Sequence, residues 1–261
     1  MSDEAAWDAR YSDDTRHIEL IRNSLPDLIS RSATIRAILA LPLDTAHVLE
    51  IGCGTGQHST ALARERPNWI FDAIDTSAQA VSAAQVLALS TRAPITVQRG
   101  NATQLPFPDA SFDIVFGDHV IGHILDQDAA FAEIARVLRP EGYVLLNAGN
   151  ALRFDGWPLY HALTHKQYLA RAMFPWTLSR LARRHGCRRI TSFGSVLVLT
   201  RGLSLLVPSR RHASVERGVK TGTVTIAAHN PGFLRRLYRW CDTHAPAWLK
   251  TDYGIIAQKR G

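Results

Sequence analysis

The sequence is poor in cysteine: three thiols in 261 residues, Cys53, Cys187 and Cys241, with no C-x-x-C spacing among them. That pattern excludes a disulfide framework and a cysteine-based zinc site. Long apolar runs are also missing. No stretch approaches the roughly 18 residues that a membrane span requires, and Met1-Ser2-Asp3-Glu4 lacks the basic and apolar regions of a signal peptide. The expectation is a cytoplasmic protein. There is no internal repeat and no low-complexity tract. Acidic residues are scarce in one part only. Residues 151–261 carry 4 Asp+Glu against 19 Lys+Arg, whereas residues 1–150 carry 19 against 11, so a part of net −8 precedes one of net +15. Such a split points to an anionic substrate, a membrane surface or a nucleic acid as the partner of the basic part.

What is present suffices for a full core, since 46% of the residues are apolar and the length suits one elaborated domain. The chain is organised around Val48-Leu49-Glu50-Ile51-Gly52-Cys53-Gly54-Thr55-Gly56. Val48, Leu49 and Ile51 read as a buried strand, and glycines at alternate positions let the chain turn sharply and bring bare backbone against a ligand. Gln57 to Arg66 supplies the helix that should follow, stopped by Pro67. Strand, glycine turn and helix make the ligand-binding corner of a doubly wound sheet. A dinucleotide fingerprint, G-x-G-x-x-G, would need its third glycine at Gln57, and a P-loop would need a lysine that does not follow.

Further strands should feed the same sheet edge. Trp69 to Ile74 is one, ending at Asp75, 19 residues beyond Gly56. In doubly wound folds an acid at that position receives ribose hydroxyls, which is the role assigned to Asp75; the alternative is an N-cap for a helix over residues 76–90. Ile95 to Gly100 is the third strand and Ile114 to Phe116 the fourth. The latter delivers Asp118, His119 and His123, where a transferable group and its acceptor would meet. Two histidines four apart would share a helix face and invite a zinc reading, but no H-E-x-x-H and no third ligand accompany them. No metal is expected. His119 or His123 acting as a base is the functional alternative to a structural hydrogen-bonding role. Asp128 to Leu138 is amphipathic, Trp176 to Gly186 reads as the helix before strand six, and Tyr253 to Lys259 as the last strand.

The segment E-x-G-x-G-x-G, from Glu50 to Gly56, resembles motif I of the class I S-adenosylmethionine-dependent methyltransferases. Leu105-Pro106-Phe107-Pro108-Asp109-Ala110-Ser111-Phe112-Asp113 resembles the family's L-P-F-x-D-x-x-F-D segment. Arg136-Val137-Leu138-Arg139-Pro140-Glu141-Gly142 resembles its R-V-L-K-P-G-G turn, with Glu141 in place of the first glycine. Trp7-Asp8-Ala9-Arg10-Tyr11 is similar to the W-x-x-R-Y start of many small-molecule members, in which this segment closes over the cofactor; plain packing of Trp7 and Tyr11 is the alternative. The resemblance is dense over Val48 to Leu146 and is to the small-molecule, ubiquinone/menaquinone-biosynthesis-like group.

The resemblance implies a Rossmann-like, doubly wound, seven-stranded sheet, mostly parallel with the last strand antiparallel, helices on both faces and an extra helical insertion in the C-terminal part. It implies S-adenosylmethionine as methyl donor, held by Tyr11, Glu50, Gly52, Cys53, Gly54, Gly56, Asp75, Thr76, Asn101, Ala102 and Asp118. Asn101-Ala102 stands where the family usually has an Asp-Ala pair beside the adenine, and the Asn101 amide offers both donors and an acceptor. The expected organisation is an N-terminal helical cap over 1–45, a cofactor-binding core over 46–150 and an acceptor-site part over 151–261 that completes the same sheet. The implied activity is methyl transfer to O, N or C of a small aromatic or apolar metabolite. Phe154, Trp157, Tyr160, Phe174 and Trp176 are expected to line its pocket. A basic amphipathic helix bearing Phe233, Arg235, Arg236, Leu237, Arg239 and Trp240 suggests contact with an anionic membrane. A nucleic-acid methyltransferase is the competing reading, but N-P-P-Y-type and P-C motifs are missing; a non-catalytic cofactor-binding protein is the third.

Overall fold

The computed structural model describes residues 15–151, 173–194 and 252–261. Two helices come first, α1 (Thr15–Arg31) and α2 (Ala33–Leu39). Ser32 separates them, and its hydroxyl accepts from the Ile35 N–H as the N-cap of α2. Then follow β1 (His47–Ile51), α3 (Gln57–Glu65), β2 (Ile70–Asp75), α4 (Ala78–Thr91), β3 (Ile95–Arg99) and β4 (Phe112–Gly117). After a single 3-10 turn, Ile121–His123, come α5 (Gln127–Val137), β5 (Leu138–Gly149), α6 (Pro175–Arg184), β6 (Cys187–Phe193) and β7 (Asp252–Lys259).

The strands form one seven-stranded sheet in the order β3-β2-β1-β4-β5-β7-β6. Strands β1 to β5 are parallel and β7 is antiparallel to both neighbours. Side chains of the central strands alternate between two cores, as the period of two dictates. Leu49, Ile51, Val115, Val144 and Leu146 face α5 and α6 through Phe131, Ile134, Val137, Leu178 and Ala182. Val48, Phe71, Ile114, Phe116 and Leu145 face α1 to α4 through Leu25, Ile35, Ile38, Leu62 and Leu87. Among the described residues no helix is long and apolar enough to cross a membrane.

The chain leaves β1 to build β2 and β3 on one side and returns to β4 on the other. This reversal opens a crevice beyond the carboxyl ends of β1 and β4, the place where open α/β sheets bind ligands. One expectation shifts in detail. The helix after β2 begins at Ala78 rather than residue 76, because Ser77, whose hydroxyl accepts from the Ala80 N–H, is its N-cap. Phe174 and Trp176 stack on each other at the start of α6, 45% and 58% exposed. Trp7, Tyr11, Phe154, Trp157, Tyr160 and the arginine-rich helix expected around Arg235 lie outside the described residues.

Candidate cofactor crevice

At the end of β1, Gly52, Gly54 and Gly56 all take left-handed conformations, with φ of 62°, 54° and 70°. Gly52 is also a point of close approach: a Cβ there would lie 2.2 Å from Val120 Cγ2, in the loop after β4. The corner is pinned to β2. The Cys53 N–H donates to the Ile74 carbonyl at 2.9 Å and the Gly54 N–H donates to Asp75 Oδ2 at 2.9 Å. Asp75 Oδ1 accepts from the Ser77 N–H at 3.0 Å. Asp75 thus fixes the glycine corner and the entry to α4 at once.

Glu50 is 1% exposed on the α3 side of the sheet. Its Oε2 accepts from the backbone N–H of Ser59 at 3.1 Å and from the Ser59 hydroxyl. Burial pushes its carboxyl up to about 7, against the lowering pull of His58 and the two Ser59 hydrogen bonds. His58 stands between two acids, its Nδ1 3.8 Å from Glu50 Oε1 and its Nε2 3.6 Å from Asp118 Oδ2. Asp118, just past β4, accepts from the Thr34 hydroxyl of α2 at 2.5 Å and from Asn147 Nδ2 of β5 at 2.9 Å. Burial would raise the Asp118 carboxyl, but His58, His119 and these two hydrogen bonds outweigh it and hold it below the usual carboxylate range.

The crevice therefore presents three carboxylates, Glu50, Asp75 and Asp118, around a glycine corner. This set of acids repels a polyphosphate and suits a ligand with a positive charge and the hydrogen-bond-donating hydroxyls of a ribose. Residues 49–146 match the model of a family described as a methyltransferase domain. Residues 49–146 thus form a methyltransferase domain, similar to those of the S-adenosylmethionine-dependent enzymes. Among curated proteins it is similar to O-methyltransferase cnsE of Penicillium expansum, 36% identical over 120 residues that cover 44% of this chain and 41% of that protein. It is also similar to the demethylmenaquinone methyltransferase of Lactiplantibacillus plantarum, 38% identical over 99 residues that cover 36% of this chain and 41% of that one. The chain thus spans less than half the length of either relative. Its fold is shared with a chain from the complex of the Haloferax volcanii Trm112 methyltransferase activator with a methyltransferase, at a TM-score of 0.63, 16% identity and 98% coverage of both chains.

Within this methyltransferase domain the residues singled out from sequence fall along one edge of the sheet. Glu50 and the three glycines end β1, Asp75 ends β2, Asn101 and Ala102 follow β3, and Asp118 follows β4. Cys53 is buried, and burial followed by the Glu50 and Asp75 carboxylates raises its thiol well above the ordinary value, so it supplies no thiolate. Thr76 is exposed, and its carbonyl accepts from Arg99 Nε at 3.0 Å. Asn101 is exposed, and its side-chain oxygen accepts from the N–H and hydroxyl of Thr103. His119 and His123 do not share a helix face. His119 sits in a left-handed turn (φ 57°) with Nε2 3.8 Å from Asp252 Oδ1, and His123 closes the 3-10 turn. Among the described residues no group of three His, Cys, Asp or Glu is placed to hold a metal ion.

Sequence reading missed four polar residues of this network: His58, Ser59, Thr34 and Asn147. The first turn after a glycine corner must lie back over the strand end, so His58 and Ser59 could have been flagged. Asn147 lies two residues before the end of β5 at the binding edge and carried the same signal. Thr34 carried none, being 84 residues from Asp118. A cavity of about 350 Å³ lined by Leu25, Pro26, Ile29, Ala61, Arg64 and Glu65 lies between α1 and α3 and includes none of these groups.

Proposed function

We propose that the protein transfers a methyl group from S-adenosylmethionine to a small apolar or aromatic metabolite, with residues 46–150 as the cofactor-binding core. The observation that carries this reading is the carboxylate-lined crevice at the reversal of strand order. Asp75 takes the ribose hydroxyls at the end of β2, while Asp118 provides negative potential for the amino-acid end. Gly52 to Gly56 let the backbone approach the ligand, and Asn101 and Ala102 border the adenine. Thr76 and Tyr11 complete the proposed set.

The bound donor supplies an electrophilic methyl on a sulfonium. Transfer is an in-line displacement in which the acceptor atom forms the new bond to carbon while the carbon–sulfur bond breaks, so no covalent enzyme intermediate is needed. The protein contributes alignment, exclusion of water and, for an O–H or N–H acceptor, a base. His119, 45% exposed beyond β4, and His123 are the candidates for that base. The names of the two relatives, one an O-methyltransferase and the other acting on demethylmenaquinone, support a small-molecule acceptor.

Titration calorimetry with S-adenosylmethionine and with its demethylated product tests the proposal. Both should bind, and Asp75→Ala should weaken binding at least tenfold, since a lost hydrogen bond to a charged group costs about 1.5–3 kcal/mol. A folded wild-type protein that binds neither compound would sink the reading. An effect of Asp75→Ala below twofold would move the ribose site elsewhere.

A further inference from the structure

Helix α6 reads Pro175-Trp176-Thr177-Leu178-Ser179-Arg180-Leu181-Ala182-Arg183-Arg184 and contains no acidic residue. Pro175, Leu178 and Ala182 are buried, which leaves the opposite side outward. On that side Trp176, Arg180 and Arg183 recur at i, i+4 and i+7, the spacing of a single helical stripe, and all three are exposed. Arg184 is turned to a structural task, its guanidinium 2.7 Å from Asp128. Phe174 stacks on Trp176 with ring centroids 4.8 Å apart and planes 10° apart. The adjoining edge strand β6 adds exposed Arg188 and Arg189, with Ile190 50% exposed. A solvated helix face accounts for the arginines alone. It leaves two large stacked rings in water at the end of the same stripe, where aromatic side chains normally find cover.

We propose that the outer face of α6, formed by Phe174, Trp176, Arg180 and Arg183, docks the protein on an anionic lipid surface. A helix with rings and guanidinium groups on one side and a buried apolar side on its own protein lies flat on a membrane. The rings settle at headgroup depth and the arginines pair with lipid phosphates. Charge complementarity is supported by the net +15 of residues 151–261. A nucleic acid fits this surface less well. Among the described residues the face is a single convex helical stripe rather than a groove that follows a phosphate backbone, and the rings cover one face of each other, which halves the platform left for bases to stack on. The stripe also starts beside the crevice: the Met173 N–H donates to the Gly149 carbonyl at 2.8 Å, at the end of β5 on the binding edge. Docking would therefore bring that edge toward the bilayer.

The test is flotation of the full chain with vesicles of phosphatidylcholine alone or with phosphatidylglycerol, at low and physiological salt. It needs no methyl-transfer assay, so its outcome is separate from that of the proposed activity. The wild type should bind the anionic vesicles, more weakly as salt rises, and leave the zwitterionic ones free. Arg180→Glu/Arg183→Glu should weaken binding at least tenfold. Trp176→Ser should weaken it severalfold with an unchanged salt dependence, and Trp176→Phe should restore most of it. All variants should melt within a few degrees of the wild type, because the replaced side chains are exposed. The proposal is overturned if the wild type does not float, or if both the double variant and Trp176→Ser float as it does. It is equally overturned if the wild type binds duplex or single-stranded nucleic acid at physiological salt in preference to vesicles and the double variant does not.

Discussion

At the scale of single residues, Glu50 is the group whose chemistry departs furthest from its ordinary behaviour. Its side chain is enclosed between β1 and the first turn of α3, and the cost of keeping a charge there exceeds what His58 and Ser59 return. The folded carboxyl lies near 7 against 4.5 when free, so between those values the folded protein keeps a proton that the unfolded chain has released. The stability tied to this proton is complete below pH 4.5 and is lost as pH rises through 7. Glu50→Gln has no such proton to lose. Denaturant unfolding between pH 5 and 8 should show the wild type losing roughly 1–3 kcal/mol relative to the variant. A difference that stays constant over that range would mean that Glu50 is already ionised when folded. Asp118, only a few ångströms from the same histidine, behaves in the opposite way because His58 and a second histidine, His119, together with the Thr34 and Asn147 hydrogen bonds, outweigh its burial.

At the scale of elements, the two segments that most resemble methyltransferases beyond the glycine corner turn out to clasp each other. Arg136 in α5 donates to the carbonyls of Leu105 and Phe107 and to Asp109, and pairs with Glu133. Glu133 in turn accepts from the Leu105 N–H at 2.7 Å, and this pairing with Arg136 lowers its carboxyl and raises the guanidinium. The loop between β3 and β4 is thereby tied to the helix that leads into β5. The turn after that helix explains an oddity of the sequence. A Cβ at Gly142 would sit 2.9 Å from the Arg139 carbonyl and 3.2 Å from that of Asp113, so glycine is required by close approach. At Glu141 only the left-handed φ of 63° matters, and a side chain can be borne at a cost. Glu141→Gly should relieve that strain, partly offset by the greater freedom of the unfolded chain. The expected gain is about 0.5–1 kcal/mol, or a melting temperature higher by about 1–4 °C. A lower melting temperature would show that the contact of Glu141 Oε1 with the Gly261 N–H, 3.1 Å apart, contributes more than the strain removes.

At the scale of the whole molecule, the crevice couples elements distant in the chain. Asp118 joins α2, β4 and β5, and Asp75 joins the corner after β1 to the start of α4. A ligand seated among them binds the folded state alone. A saturating excess of about 100 times Kd should add about 2.7 kcal/mol of stability, which for a chain of this size is a rise of about 5–10 °C. Differential scanning calorimetry with S-adenosylmethionine checks this, and no shift at saturation would mean that the folded state does not gain by binding it.

The sheet was legible in the sequence because its central strands alternate or run apolar between glycine, proline and acidic breaks, so local pattern and final structure agree. The glycine corner, the acid at the end of β2 and the acid after β4 could be read for the same reason, since strand ends in a parallel sheet all emerge on one edge. What only the tertiary structure decided are the partners of those groups. Thr34 meets Asp118 because α2 packs across the end of the sheet, and His58 lies between two carboxylates because α3 starts directly over β1. Neither contact leaves a periodicity to be read, because each is set by how whole elements dock. The elevated carboxyl of Glu50 belongs to the same class: residue type and strand position were visible, but its burial, and with it the proton it holds, exists only once the layers close.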